Sequence, residues 1–192
     1  RAFPFDIRRV DQKLVAVLGK LLKGSRVNFC FRNGLPQVFC HPPTLLDAAG
    51  LPEGAIGFEV TESAAVSNFK RAKHLIGTLH ERGCRISLDD FGAGLSSFAY
   101  LKNFTVDALK IDGGFIRDIT DNRISESMVA AITQVAKVMQ LETVAEYVES
   151  DDIRDLIERL GVDFAQGHAI GKPAPLDDVL DGLTDLDRSW LA

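Results

Sequence analysis

The chain has 192 residues, 46% of them apolar and 26% charged, the balance of one folded domain with a core of its own. Its net charge of −5 disfavours long nucleic acid held by phosphate neutralisation, but leaves room for a small anion met by metal ions or local cations. Cys30, Cys40 and Cys84 are too few and too irregular for a disulfide framework or a zinc site, which fits a reducing, cytoplasmic setting. No apolar stretch approaches the ~20 residues needed to span a bilayer, so no membrane contact is expected from this segment. The chain opens on Arg1 rather than Met, which reads as a piece of a longer protein and allows an upstream regulatory domain.

Short β-branched runs predict strands at 27–31, 55–60, 84–88, 108–111, 142–145 and 162–165. Apolar residues at helical spacing predict helices at 10–22, 68–81 and 126–139. Ser150 is a natural N-cap for a further helix at 151–160, and Gly83 and Gly161 are natural stops just before strands. The alternation predicts an α/β fold, a parallel sheet with helices outside it. No glycine-rich loop follows the first strand, which weakens a dinucleotide fold and favours a TIM-like (β/α) barrel. Six strands against the usual eight make that barrel incomplete at its N-terminus, over a single domain spanning 1–192.

In such folds chemistry collects where strands end. Here the strands carry or end on Asn28, Glu59 with Glu62, Asp89 with Asp90, Lys110 with Asp112, Glu146 followed by Glu149, and Gln166. Several carboxylates in one small mouth repel one another, and a divalent cation relieves that repulsion. Hard oxygen donors suit Mg²⁺ or Mn²⁺. The neighbours Asp89 and Asp90 can serve two ions, and paired ions are a standard device for phosphodiester hydrolysis. Lys110 then orients a water or steadies charge on phosphate. Each residue also has a plain structural reading. Asn28 can cap a turn, Glu62 and Glu149 can sit in first helical turns, Asp89-Asp90 can form a turn, and Lys110 can partner one acid. Their repetition at the same end of successive strands is what favours a site.

The runs Glu59-Val60-Thr61-Glu62-Ser63, Asp89-Asp90-Phe91-Gly92-Ala93-Gly94-Leu95-Ser96-Ser97, Leu109-Lys110-Ile111-Asp112, Val144-Ala145-Glu146-Tyr147-Val148-Glu149 and Gln166-Gly167 together resemble EAL domains in order and spacing. The resemblance implies a (β/α) barrel with two Mg²⁺ or Mn²⁺ ions that cleaves cyclic di-GMP to linear pGpG, commonly as a homodimer. It implies that Glu59 and Asp89 bind the first metal, with Asp89 bridging to a second held by Asp90. It assigns Glu146 to the same metal site, Lys110 to the attacking water, Gln166 to that water or the site, and Glu62 to steadying the loop after Asp90. That loop, 91–98, couples site to dimer in the family. Asn28 is the choice for an asparagine ligand, with Cys30 as the alternative occupant; Glu149 and Asp112 are assigned to substrate. Two departures stand out. The Glu-Ala-Leu strand that names the family is absent, and Tyr147 stands where glycine is usual, so its side chain either crowds the site or fills a pocket. These departures keep open a non-catalytic receptor or interaction module. A glycosidase using Glu59 and Glu146 would leave the aspartate pair and Lys110 idle. A kinase reading of Asp90-Phe91-Gly92 fails for want of a glycine-rich loop and a catalytic loop.

Overall fold

A computed structural model describes Gly54 and residues 57–93 and 97–173. The predicted strand at 27–31 and helix at 10–22, with Asn28, Cys30 and Cys40, lie outside the described residues. In chain order the elements are β1 (Gly57–Thr61), α1 (Glu62–Ser67), α2 (Phe69–His80), β2 (Arg85–Phe91), α3 (Ser97–Leu101), β3 (Ala108–Ile111), α4 (Gly113–Ile116), α5 (Arg123–Met139), β4 (Glu142–Ala145), α6 (Asp151–Arg159) and β5 (Phe164–Ala165).

All four strand pairings are parallel, and spatial order follows chain order from β1 to β5. A doubly wound sheet reverses its order at a switch point. No reversal occurs among these strands, so they form a stretch of barrel wall. The centre of that wall is dry: all four residues of β3 are buried, and Ile86, Leu109 and Ile111 are fully excluded from solvent. Strands buried on both faces are the signature of parallel sheets covered by helices.

The helices dock by narrow apolar stripes. Ala72, Ile76 and Leu79 form the buried face of α2, and Val129, Ile132, Thr133 and Ala136 that of α5. The Thr133 hydroxyl, buried on that stripe, donates to Val129 O at 2.8 Å and so brings no unmet polar group into the core. Ser150 caps α6 by accepting from Ile153 N, and Asp151 and Asp152 in its first turn favour the positive helix end. Helix α5 begins three residues earlier than periodicity alone predicts, because Asn122 Oδ1 accepts from Ile124 N at 3.0 Å and starts the helix there.

Chain reversal into the strands uses left-handed residues at the predicted stops. Gly83 (φ 74°) leads into β2 and Gly161 (φ 80°) leads towards β5. At the amino ends of the strands, two aspartates replace missing backbone partners. Asp107 Oδ2 accepts from Ile86 N at 2.7 Å, and Asp163 Oδ2 accepts from Thr143 N at 2.9 Å and from its hydroxyl at 2.7 Å. Polar work at this end is structural, which leaves the carboxyl ends for chemistry. Cys84 is buried and free, and burial pushes its thiol up, as in an inert core cysteine.

Candidate metal centre

Four strands bring one cluster together. Glu59 comes from β1, Asp89 and Asp90 from β2, Lys110 from β3, and Glu146 follows directly on β4. Lys110 Nζ lies 2.7 Å from Glu146 Oε1, 2.9 Å from Glu59 Oε1 and 3.1 Å from Asp89 Oδ1. The lysine is 3% exposed and Glu146 is fully buried, so these contacts are made largely without water. Burial pushes the Lys110 ammonium down, but Glu146, Glu59 and Asp89 together push it up further, leaving it well above the ordinary lysine range.

Adjacent residues of a regular strand point to opposite faces, so Asp89 and Asp90 would be separated by the sheet. A bulge prevents this. Between Leu88 and Phe91, β2 carries one more residue than β3 spends between Leu109 and Ile111. Asp90 takes up the slack in a left-handed conformation, φ 54°, which aspartate tolerates better than most residues. One carboxylate oxygen each from Asp89, Asp90 and Glu146 then falls within 4.8 Å of the others. It is this backbone irregularity that brings both aspartates to the same cluster.

The donor set fits a divalent cation. Among the described residues, Glu59, Asp89 and Glu146 gather round Lys110 and Asp90 lies beside them, so acids outnumber the lysine in a largely buried place. Asp90 is exposed and opens the cluster to solvent. All the donors are hard oxygens, the chemistry of Mg²⁺ and Mn²⁺ sites rather than of softer metals.

The other predicted residues are placed as follows. Glu62 is buried at the start of α1, and its Oε2 accepts from Gly92 N at 3.0 Å, tying the chain just after the aspartate pair to β1. Gly92 is needed there twice over: φ is 103°, and a Cβ would come within 2.9 Å of the Phe115 ring and 3.1 Å of Ile132. Gln166 flanks Glu146 through its backbone, its N–H donating to Ala145 O at 2.8 Å and its carbonyl accepting from Val148 N at 3.0 Å. Asp112 and Glu149 are not brought into the carboxylate cluster. Asp112 Oδ1 caps α4 by accepting from Gly114 N at 2.8 Å, and Glu149 is exposed just before the Ser150 cap. Tyr147 fills space rather than crowding the acids: its ring lies against Gly113, with the Arg117 guanidinium 3.9 Å from its centroid. Sequence reasoning missed this stack and the bulge. The only hints were the glycine pair Gly113-Gly114 and the bulky residue after Glu146.

A wall of parallel strands with acids and a lysine at its carboxyl ends defines an α/β barrel with an acidic mouth whose donors could hold a metal ion. The EAL domain family profile matches residues 35–173, and the chain belongs to that family. It is 47% identical over 132 residues to the cyclic di-GMP phosphodiesterase PdeF of Escherichia coli K12, covering 69% of this chain but only 18% of PdeF. Among solved structures it resembles the PaMucR phosphodiesterase in complex with c-di-GMP (TM-score 0.67, 32% identity, 76% of this chain and 62% of that one). It also resembles Klebsiella pneumoniae BlrP1 with manganese and cyclic di-GMP (TM-score 0.65, 27% identity, 80% of this chain and 41% of that one). No helix among the described residues is long and apolar enough to cross a membrane.

Proposed function

We propose that this chain hydrolyses cyclic di-GMP to linear pGpG at a site holding two divalent cations, Mg²⁺ or Mn²⁺. The observation that carries the reading is the buried Lys110 ammonium on β3 among acids from β1, β2 and the end of β4, with Asp90 completing the set from the bulge. Glu59, Asp89, Asp90 and Glu146 would hold the ions, with Asn28 as a further ligand from outside the described residues. Bound there, the cations supply Lewis-acid charge and lower the pKa of a bound water.

The chain's own groups then divide the work. Because pGpG carries its phosphate at the 5′ end, the bond that breaks is between phosphorus and the 3′ oxygen. Water supplies the new oxygen on phosphorus, and the 3′ oxygen leaves as a hydroxyl after gaining a proton. In its charged form Lys110 has no lone pair to give, and it is assigned to donation rather than to work as base or nucleophile. It orients the water by donating to it and offsets charge growing on the phosphate. Glu62 holds Gly92, and with it the backbone that presents Asp90. Gln166, joined by backbone bonds to both sides of Glu146, stands beside the site to contact the water. Glu149 and Asp112 are left to the substrate's rim. Two copies are proposed to pair through the segment after Asp90, where exposed Phe98 packs edge-on against Phe91, 5.6 Å between centroids, linking that surface to β2. A cytoplasmic setting accords with the ligand.

The reading is tested by incubating the chain with cyclic di-GMP and Mn²⁺ and separating the nucleotides. Linear pGpG that vanishes with EDTA supports it. Intact nucleotide retained by the protein would make this a receptor instead.

A further inference from the structure

Tyr147 is a bulky aromatic residue in the left-handed region, φ 56°, directly after Glu146. Such a conformation is uncommon outside glycine and small polar residues, and it persists only where surrounding contacts impose it. Those contacts are visible. On one side the ring occupies the space a side chain at residue 113 would need: a Cβ there would lie 2.1 Å from Tyr147 Cδ2 and 2.9 Å from Cγ. The Arg117 guanidinium sits over the same ring at 3.9 Å, in cation–π geometry. On the other side the chain is pinned at the next residue. Val148 N donates to Gln166 O, Ala169 N donates to Val148 O, and Gly167 approaches so closely that a Cβ would lie 2.4 Å from Val148 N. Residues 147 and 148 are thus clamped between Gly113 and Gly167.

We infer that Tyr147 is a positioning residue: its ring, seated over Gly113 beneath Arg117, fixes the left-handed turn that keeps the Glu146 carboxylate buried against Lys110 and beside Asp89 and Asp90. The inference rests on the metal-centre reading above. The role assigned to Tyr147 runs through the backbone it shares with Glu146. Residues that orient metal ligands from outside typically change metal affinity by about 10–100-fold when lost. Glycine adopts the same left-handed turn without a ring, whereas alanine resists it and has no ring to be held. The inference therefore ranks substitutions by backbone preference rather than by size.

The experiment measures Mn²⁺ affinity by titration calorimetry, with thermal unfolding of each variant alongside. Tyr147→Ala is expected to bind Mn²⁺ about 10-fold more weakly than the parent, and Tyr147→Gly to stay within about threefold of it. Gly113→Ala, which evicts the ring without altering any acid, is expected to weaken binding like Tyr147→Ala. The double variant Gly113→Ala/Tyr147→Gly, in which nothing clashes, is expected to recover the affinity of Tyr147→Gly. Parent-like affinity in Tyr147→Ala, or a Gly113→Ala loss that persists in the double variant, would overturn the positioning role alone. A parent chain that takes up no Mn²⁺ would overturn the metal centre and this inference with it.

Discussion

Replacing Lys110 by methionine keeps a long side chain in place and removes its charge. In the parent the ammonium stands 2.7, 2.9 and 3.1 Å from three carboxylates. At an effective dielectric constant of about 20, each such contact is worth about 5–6 kcal/mol of gross attraction. Most of that is offset by desolvation of the ions and by repulsion among the acids. Breaking a buried ionic cluster from one side nevertheless costs about 3–5 kcal/mol, because the remaining charges stay buried without compensation. For a chain of this size each kcal/mol moves the melting temperature by about 2–4 °C, so Lys110→Met in EDTA should melt about 10 °C below the parent. Divalent cations bind the same acids, so saturating Mn²⁺, at about 100 times its dissociation constant, should return about 2.7 kcal/mol to the variant and bring it most of the way to the melting temperature of the metal-free parent. The pH dependence has a defined sign. The ammonium is held above its unfolded range, so its contribution is complete below pH ~10.4 and is lost as pH rises through the folded value. The gap between parent and variant in EDTA should hold steady from neutral pH to about pH 9 and shrink at higher pH. Scanning calorimetry with and without Mn²⁺ measures all of this. A metal-free Lys110→Met protein melting within about 2 °C of the parent would refute the claim that this lysine neutralises a buried acidic cluster.

Three further outcomes are expected. Glu59→Ala and Asp89→Ala should each lower Mn²⁺-dependent turnover by at least about 100-fold while far-ultraviolet circular dichroism keeps the parent spectrum; parent-like rates in either would remove that residue from the site. Glu62→Ala leaves Gly92 N without its acceptor and should cost about 1–3 kcal/mol in urea unfolding, with a larger loss in turnover than stability alone explains. Gly92→Ala combines a strained φ of 103° with a Cβ 2.9 Å from the Phe115 ring, and should destabilise by about 2–4 kcal/mol, whereas a neutral effect would mean that the loop after Asp90 yields freely.

The parts of the fold that sequence conveyed well are those where one rule dominates. The runs 108–111 and 142–145 are apolar, β-branched and bounded by turn residues, and the observed strands have those limits. Strand β2 extends to Phe91, three residues beyond the apolar run: Asp89 and Asp90 look like a turn in sequence, but Asp89 pairs with Thr61 and the strand rejoins β3 at Phe91 after the bulge. Strand β5 is shorter than its apolar run, since Asp163 turns its carboxylate to Thr143 instead of joining the ladder. The short helices α1, α3 and α4 carry too few turns for periodicity to register, although Thr61 and Asp112 do cap α1 and α4. In the site, residue types and strand ends were legible: Glu59, Asp89, Asp90, Lys110 and Glu146 converge. What was hidden is backbone conformation, the left-handed Asp90 and Tyr147, because no residue pattern marks them. Asp112 illustrates the converse, since a strand-end acid in sequence turns out to cap a helix.

The central claim is that water, placed by these residues, cleaves a phosphodiester bond of cyclic di-GMP. Turnover with Mn²⁺ in ¹⁸O-water, followed by mass spectrometry of the product, tests it directly. The account predicts pGpG carrying a single ¹⁸O on its terminal phosphate, formed by the parent chain and suppressed by EDTA. Cyclic di-GMP recovered intact, or a product whose phosphate carries no label, would contradict it.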